Sequence, residues 1–490
     1  MKKICTLLIA IVAAAGVSAN NIQISNITVA QPNITFTISW DNSWNTMSNI
    51  NPLYPNNWDG AWVFVKYQNN IDNLWKHAAV SSTAGDHTIT GGILQVDPVT
   101  DGMGVFLRRT AAGNGTVTAT VTLKMNALIG TGNFNFKVFG TEVVYVPQAA
   151  YQLGDGNTAG FFTPTDVNAA KQASGFTAGS LYTGSPAIPA TFPTGYNAFY
   201  MMKYEITNEQ WADFLNTLTY DQQVTRTDAV PNAAVNSKAY VNNVNTIADD
   251  VIKIQASGLN NTIPATYGCD LDNDNVYNEN NDGQNIAISI ISKADLYAFL
   301  DWSGLRPFTE MEFEKACRGN QPRVLSEYAW GSTDMALRTR GNMTAPGLAT
   351  EAWTGVVQNG QVIANGGPNG ALGPVRVGQF GTTSTGRASA GAGFYGNMDL
   401  TGNVWELCVM ADATGNVFTG THGNGGLTTL GEADAATWPG GAAAGGTISK
   451  GGSWYETSNY NLFTMVSYRQ GVIAPGRTLN LGGRGARTAP

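Results

Sequence analysis

The chain has 490 residues, of which 13% are charged and 57 are glycine. Its formal net charge of −8 argues against nucleic-acid backbones and anionic membranes as partners, because both carry negative charge. The length allows about three domains, and the low charge content suits a loop-rich protein. We interpret the sequence as two domains that follow a targeting segment.

The first residues have the pattern of a secretory signal peptide. Lys2 and Lys3 precede an apolar run from Ile4 to Val17, and small residues suited to cleavage follow. The apolar run is shorter than the ~20 residues that span a bilayer, which argues against membrane insertion. We therefore predict a signal peptide over residues 1–19 and export to the periplasm, the cell surface or the extracellular space.

Residues 20–140 show the alternation of polar and apolar side chains that is typical of β-strands. In Asn33–Trp40 the apolar residues occupy every second position, so they share one face of the strand. Similar segments occur at 61–67, 115–123 and 134–139, separated by turn residues. Several such strands predict an all-β sandwich in this part of the chain.

Residues 141–490 contain three sequence signatures of helix starts. Each is a capping box, in which a hydroxyl residue and a residue three positions later form hydrogen bonds to each other's backbone N–H groups. The boxes are Thr207 with Gln210, Ser292 with Asp295, and Thr309 with Glu312. Glu310, Glu312 and Glu314 lie in the first turns of the third helix. We assign them to capping and to the helix dipole rather than to acid-base catalysis.

The cysteines and histidines give little sign of redox or metal chemistry. Beyond the predicted signal peptide, Cys269, Cys317 and Cys408 allow at most one disulfide. We predict that Cys317 and Cys408 are buried small apolar side chains, with a redox role as the alternative. His77 and His87 have no nearby cysteine or second close histidine, so we expect no metal there.

An acidic loop lies between the first two predicted helices. Its carboxylates stand at the alternating spacing that opens an EF-hand calcium loop, at Asp270, Asp272 and Asp274. Val276 is placed to offer a carbonyl. Asn275 and Asn281 replace the glycine and the closing glutamate of that pattern. The sequence leaves two interpretations open, a calcium loop and a solvated hairpin tip, and favours the second.

Residues 396–406 form a stretch rich in glycine, asparagine and acidic oxygens that ends in Trp405 and Glu406. Further motifs surround it in the chain, and they are Tyr204–Trp211, Arg306–Gly319, Tyr328–Gly331 and Gly451–Trp454. In this order they resemble the formylglycine-generating enzyme (sulfatase-modifying factor) family over residues 141–490. The resemblance implies an α+β C-type-lectin-like domain with little regular secondary structure and a bound, structural calcium ion.

The resemblance also implies a set of calcium ligands. The side-chain ligands are Asp399 and Glu406, and the carbonyl ligands are those of Gly402 and Val404. The side chain of Asn342 and the carbonyl of Met343 match part of a second family site. From the residues alone, the carboxylates and carbonyls of the 396–406 turn suit a hard cation, and a plain turn is the alternative.

The family's chemistry uses copper(I), which two cysteine thiolates hold after the Gly-Gly-Ser motif. Counted from Ser453, these positions are Glu456 and Asn461 in this chain, and neither can supply a thiolate. Three histidines in the whole sequence argue against an iron site such as that of ergothioneine-type sulfoxide synthases. We therefore expect neither copper nor iron, and the enzyme activity of the family is disfavoured.

The sequence after the Gly-Gly motif predicts a ligand-binding surface. Its residues are Ser453, Trp454, Tyr455, Glu456, Asn459, Tyr460, Asn461 and Arg469. Aromatic and small polar side chains with interspersed arginine suit an adaptable surface, and ordinary core packing is an equal alternative. We expect Glu456 to be substantially exposed, with no second carboxylate or histidine beside it.

These observations favour an exported, non-catalytic binding or structural protein on a calcium-stabilised scaffold. Its expected partner is a protein or a glycan at the cell surface. An enzyme of the superfamily with altered chemistry, using carboxylates such as Glu456, is one alternative. A ligand-binding protein diversified by retroelements is another, because such C-type-lectin-like proteins vary in the region after Ser453.

Overall fold

The structure is a computed structural model that describes residues 21–47, 56–69, 71–130, 133–158, 160–241, 250–364, 373–382, 384–439, 445–456, 458–469 and 476–490. It is mostly β-sheet with few and short helices. Within these ranges, no helix has the length and apolar character needed to cross a bilayer. The predicted signal peptide, residues 1–19, lies outside the described residues.

The regular elements are numbered in chain order. The strands are β1 Gln23–Ala30, β2 Asn33–Asn45, β3 Asp59–Asn69, β4 Trp75–His77, β5 Thr88–Thr90, β6 Leu94–Pro98, β7 Val105–Arg109, β8 Gly113–Lys124, β9 Phe134–Val146, β10 Tyr151–Leu153, β11 Thr165–Val167, β12 Phe199–Met202, β13 Ile252–Ala256, β14 Thr266–Cys269, β15 Ala336–Arg338, β16 Gln361–Ile363, β17 Trp405–Val409, β18 Thr447–Lys450, β19 Leu481–Gly482 and β20 Ala486–Thr488. The helices are α1 Ala169–Ser174, α2 Asn208–Leu215, α3 Tyr220–Arg226, α4 Lys293–Trp302, α5 Glu310–Arg318, α6 Arg387–Ala390 and α7 Tyr460–Phe463.

The smaller of two large sheets has the strand order β1-β2-β8-β5. The alternation predicted for β2 is confirmed, because every second side chain from Ile34 to Trp40 is buried. These side chains pack with Val63 and Val65 of β3 and with Leu107 of β7 in one apolar cluster. The two sheets therefore share a core on this side of β3.

The larger sheet has the order β20-β12-β9-β3-β7-β6, with β4 added beside β3. Strand β9 pairs along its length with β3, and its last residues also pair with β12, where Met201 lies opposite Val144. The boundary predicted between residues 140 and 141 thus falls inside a continuous strand. One hydrogen-bonded sheet includes strands from both predicted domains.

A buried ion cluster lies where these two parts meet. The Lys203 ammonium lies 3.1 Å from the Asp59 carboxylate and 2.9 Å from the Glu142 carboxylate, and all three residues are buried. Asp59 also accepts a hydrogen bond from the backbone N–H of Trp44 at 2.7 Å. Charges of this kind depend on one another, because removal of one leaves the others unpaired away from water.

The three predicted capping boxes are confirmed at the starts of α2, α4 and α5. Helices α2 and α4 pack through aromatic side chains, with the rings of Trp211 and Phe299 stacked at 5.7 Å between centroids. The three cysteines predicted for the mature chain are free and buried. Burial is the main cause that raises the pKa of each thiol, which fits the prediction of packed apolar side chains for Cys317 and Cys408.

Candidate functional site

Residues 396–406 form a tight turn that leads into β17. Asp399 and Asn403 adopt left-handed backbone conformations, with φ of 59° and 57°. Gly402 has a φ of 87°, and a Cβ there would lie 2.6 Å from the carbonyl oxygen of Ile363, so this position requires glycine. Trp405 is buried at the start of β17 and anchors the turn to the core.

An arginine neutralises the glutamate at the end of this turn. Both carboxylate oxygens of Glu406 accept hydrogen bonds from the Arg484 guanidinium, at 2.5 and 2.7 Å, and both side chains are fully buried. Arg484 also donates to the carbonyl oxygen of Met398 at 2.8 Å. Burial raises the pKa of Glu406, and Arg484 opposes that rise. Arg484 thus contacts both oxygens of Glu406, one of the two side chains that the resemblance assigned to calcium.

Two further carboxylates lie near this ion pair. Asp399 is partly buried and accepts a hydrogen bond from the Gly378 N–H at 2.5 Å. Glu205 is buried and accepts from Asn403 Nδ2 at 2.5 Å and from the Val404 N–H at 3.1 Å. Burial raises the pKa of Glu205, and the negative charges of Asp399 and Glu406 raise it further. Sequence reasoning missed Glu205 as part of this cluster, although it lies in the Tyr204–Trp211 motif.

The remaining predicted calcium residues have separate local partners. Val404 is buried, and Asn342 is exposed, where its side-chain oxygen accepts from Thr339 Oγ1 at 3.0 Å. Met343 is buried, and its sulfur accepts a hydrogen bond from Gln379. Calcium binding by these residues stays a prediction. Within the described part of the chain, three carboxylates close enough to share one ion occur instead in the acidic loop at 270–274.

The structure divides the predicted ligand-binding surface in two. Ser453, Trp454 and Arg469 are buried, so their assignment to a surface was wrong. Arg469 donates to both oxygens of Glu310, at 2.9 and 3.1 Å, and its guanidinium lies 3.8 Å from the ring centroid of Tyr182. Aromatic and arginine side chains can pack in a core as well as on a surface. Ser453, Trp454 and Arg469 lie in the core.

The other members of that surface remain in contact with solvent. Tyr455 and Tyr460 are half-buried, whereas Asn459 and Asn461 are exposed. Asn459 has a left-handed φ of 56° and precedes α7, which Tyr460 begins. The backbone carbonyl of Asn461 accepts a hydrogen bond from the Tyr328 hydroxyl at 3.3 Å. The accessible part of the surface is therefore the short helix α7 with its flanking residues.

Glu456 is half-buried, and the expectation of substantial exposure was wrong. One of its oxygens accepts hydrogen bonds from Trp405 Nε1 at 2.5 Å, Ser453 Oγ at 3.1 Å and Asn480 Nδ2 at 3.2 Å. These donors come from three separate segments, which explains the partial burial. Indole, hydroxyl and amide groups do not ionise near neutral pH, so none of these three partners can pass a proton to or from Glu456, and the geometry suits a fixed hydrogen-bond acceptor.

A cleft of about 200 Å³ lies beside α2, and sequence reasoning missed it. Its walls include Ile24 of β1, Phe64 of β3 and Trp302 of α4. Glu209 and Asp213 of α2 also line it; Glu209 is exposed, and partial burial raises the pKa of Asp213. The cleft exists only because distant segments meet, so no local pattern in the sequence could have indicated it.

Comparison with known proteins identifies one family. A model of the family described as "Sulfatase-modifying factor enzyme 1-like domain" matches residues 159–489. A comparison with curated proteins finds no match. Among solved structures, Treponema denticola variable protein 1 shares 15% sequence identity with this chain, with a TM-score of 0.28, over 72% of this chain and 96% of that chain.

Proposed function

Because the chain belongs to the family of sulfatase-modifying factor enzyme 1-like domains, we propose that it is a non-catalytic binding or structural member of that family. The observation that carries the proposal is the environment of Glu456. Trp405, Ser453 and Asn480 hold this carboxylate. By the resemblance, counted from Ser453, Glu456 takes the position of a copper-binding thiolate. A carboxylate held in this way is a hard, preoriented hydrogen-bond acceptor and a poor ligand for copper(I).

The buried cysteines in the described part of the chain are poor substitutes for the thiolate pair. Cys317 and Cys408 are buried in the apolar core, and burial raises the pKa of both thiols. Copper(I) binds the thiolate form, which a raised pKa disfavours. The second position, Asn461, is an exposed amide. These features support a scaffold that has lost the chemistry of its relatives.

The proposed binding surface consists of Tyr455, Glu456, Asn459, Tyr460 and Asn461. The half-buried tyrosines are held against the protein, so they offer contact area at low entropic cost. The exposed amides can both donate and accept hydrogen bonds, which suits the hydroxyl groups of a glycan or the backbone of a protein. We propose a protein or glycan at the cell surface as the partner, reached after export.

The scaffold in this proposal is a β-sandwich joined to a C-type-lectin-like domain that calcium stabilises. Asp399→Asn tests the calcium part, because asparagine tolerates the left-handed backbone and keeps an acceptor for the Gly378 N–H. Calcium at a hundredfold excess over its Kd should stabilise the wild type by about 2.7 kcal/mol, seen as a fall in melting temperature on chelation. If chelation lowers the melting temperature of Asp399→Asn as much as that of the wild type, Asp399 does not bind the stabilising calcium ion.

The absence of family chemistry is tested with a Cys-X-Pro-X-Arg sulfatase peptide, copper(I) and oxygen. We expect mass spectrometry to find no aldehyde product, because no thiolate pair stands at the family positions. A family enzyme with both cysteines serves as the positive control. Aldehyde above the level of a metal-free reaction would contradict the proposal.

The binding role is tested by screening the purified chain against cell-surface glycans and proteins. A variant with Tyr455→Ala, Asn459→Ala and Asn461→Ala should lose at least tenfold in affinity for any ligand found, because it removes the accessible side chains of the surface. Asn320→Ala, at an exposed position after α5, is the matched control. Equal losses in both variants, or in neither, would place the binding site elsewhere.

A further inference from the structure

The acidic loop between β14 and α4 has a spatial arrangement that its sequence only suggested. One carboxylate oxygen from each of Asp270, Asp272 and Asp274 lies within 4.8 Å of the others. Asp272 and Asp274 are exposed, whereas Asp270 is 1% exposed. The three side chains thus converge on one region that is open to water on one side and closed by protein on the other.

The buried members of the loop include carboxylate oxygens without a donor. Among the described residues, neither oxygen of Asp270 has a hydrogen-bond partner, and both are buried. Asp282 is 0% exposed, and it accepts from the Glu279 N–H at 2.7 Å with one oxygen while the other is buried without a partner. A buried carboxylate without donors costs free energy, so these oxygens point to a positively charged ligand.

Asn281 stands where an EF-hand has its closing glutamate, and it donates a hydrogen bond to Asp272. The last position of the loop is therefore tied to the acidic cluster although it carries no carboxylate. Asp282, the next residue, is fully buried.

Among the described residues, Lys253 is the cation that forms an ion pair with this cluster. Lys253 Nζ lies 3.6 Å from Asp270 Oδ2, and it donates to Asn273 Oδ1 at 2.5 Å and to the Asp270 carbonyl. With the three clustered carboxylates ionised, this lysine leaves a net charge of about −2. Asn275 has a φ of 71°, so asparagine takes the left-handed conformation for which an EF-hand uses glycine.

We propose that Asp270, Asp272 and Asp274 bind one calcium ion. The ligand set is all oxygen, and two of its members lie on an exposed loop that can adjust to six or more ligands with water and the Val276 carbonyl. Calcium accepts such flexible coordination, whereas magnesium demands a tighter octahedron. Zinc and copper prefer nitrogen and sulfur ligands, which this set lacks.

A bound ion would hold the acidic loop against the end of β14. Asp270 directly follows β14, and the chain continues from the loop to Gly283, whose carbonyl accepts a hydrogen bond from Asn208 Nδ2 at 3.3 Å. Asn208 is the first residue of α2, within the Tyr204–Trp211 motif. Calcium here would therefore fix the β13–β14 hairpin relative to the start of α2.

The test is calorimetric titration of calcium into the chelator-treated full chain, beside a variant with Asp272→Asn and Asp274→Asn. Both replaced side chains are exposed, and asparagine keeps the acceptors for the N–H groups of Asp274 and Val276, so the variant should fold. We expect its calcium affinity to fall at least a hundredfold. Unchanged affinity, or a wild type that binds no calcium at millimolar concentration, would overturn the proposal.

Terbium luminescence locates the ion independently. Tyr277 lies in the loop and can sensitise bound terbium on excitation. We expect Tyr277→Phe to lose most of the emission and to keep its calcium affinity, because its hydroxyl bonds to the Ile254 carbonyl and Asn236 rather than to the carboxylates. Asp399→Asn should keep the Tyr277-sensitised emission, whatever its effect on calcium binding elsewhere. Terbium emission that depends on Asp399 and not on Tyr277 would contradict this location.

Discussion

Two groups of acidic residues in this protein are neutralised in different ways. Glu406, with Glu205 and Asp399 nearby, is paired with Arg484, which makes two short hydrogen bonds from within the core. The loop from Asp270 to Asp282 has five carboxylates, and Lys253 of β13 pairs with one of them, Asp270. Arginine keeps its charge and fits a carboxylate in two-point geometry, so Glu406 in the first group is neutralised by the fold itself. The second retains a charge that an external cation can balance.

The test with the largest expected effect replaces Arg484, the cation that pairs with Glu406. Arg484→Met should lower the free energy of unfolding by about 3–5 kcal/mol, because it leaves Glu406 buried and unpaired. Urea denaturation measures the change. Arg323→Met is the control, since Arg323 pairs with an Asp166 side chain that is 70% exposed, and its loss should cost about 1 kcal/mol or less. Similar losses in both variants would show that Arg484 does not neutralise Glu406 in the way we describe.

The second test uses pH, because histidine, unlike arginine, can lose its charge. Thr488 N–H donates to His422 Nε2 at 3.0 Å, and burial together with Arg487 and Arg306 lowers the pKa of His422 to about 4, although Asp101 opposes this. A lowered folded-state pKa means that the stability from neutral His422 is present above pH 6.5 and is lost as the pH falls through about 4.

His422→Gln keeps an acceptor for the Thr488 N–H but cannot be protonated. Relative to this variant, the wild type should lose up to about 3 kcal/mol of stability between pH 6.5 and pH 4. Denaturation of both proteins across this range measures the difference. Parallel stability curves would mean that His422 becomes protonated in the folded state at its ordinary pKa.

The smallest expected effect concerns Lys253 of β13, the cation that pairs with Asp270 of the acidic loop. Lys253→Met should raise calcium affinity about fivefold or more, since it removes a positive charge next to Asp270. It should also lower stability when calcium is absent. Titration calorimetry measures the calcium affinity, and scanning calorimetry without calcium measures the stability. Weaker calcium binding by the variant would contradict the role of the loop as a cation site.

Local features of the fold could be predicted from the sequence. The capping boxes at Thr207, Ser292 and Thr309 involve residues three positions apart, and all three form. The alternation in β2 depends only on neighbouring residues and on one buried face. The glutamates of α5 are held by capping and by arginines, as expected for structural roles; Glu312, for example, pairs with Arg306 at 2.6 Å.

Contacts between distant segments could not be predicted in the same way. Glu406 pairs with Arg484 only because tertiary packing brings them together. The same holds for the sheet in which β9 pairs with β3 of the first predicted domain and β12 of the second. Trp454 and Arg469 carry the composition of a binding surface, but composition does not say which side of the chain faces solvent. Glu456 was expected in a polar and open setting, and Trp405 and Asn480 cover it from elsewhere in the sequence.

The continuous sheet also constrains how the chain can acquire its structure. Strand β3 lies early in the sequence and β20 lies late, yet both belong to one sheet, in which β9 and β12 lie between them. Pairing of such distant segments requires the closure of very long loops, and folding slows as contacting residues become more distant in sequence. While the chain is incomplete, the edge of β9 that later pairs with β12 has no partner strand. That unpaired edge can associate with other chains until β12 becomes available.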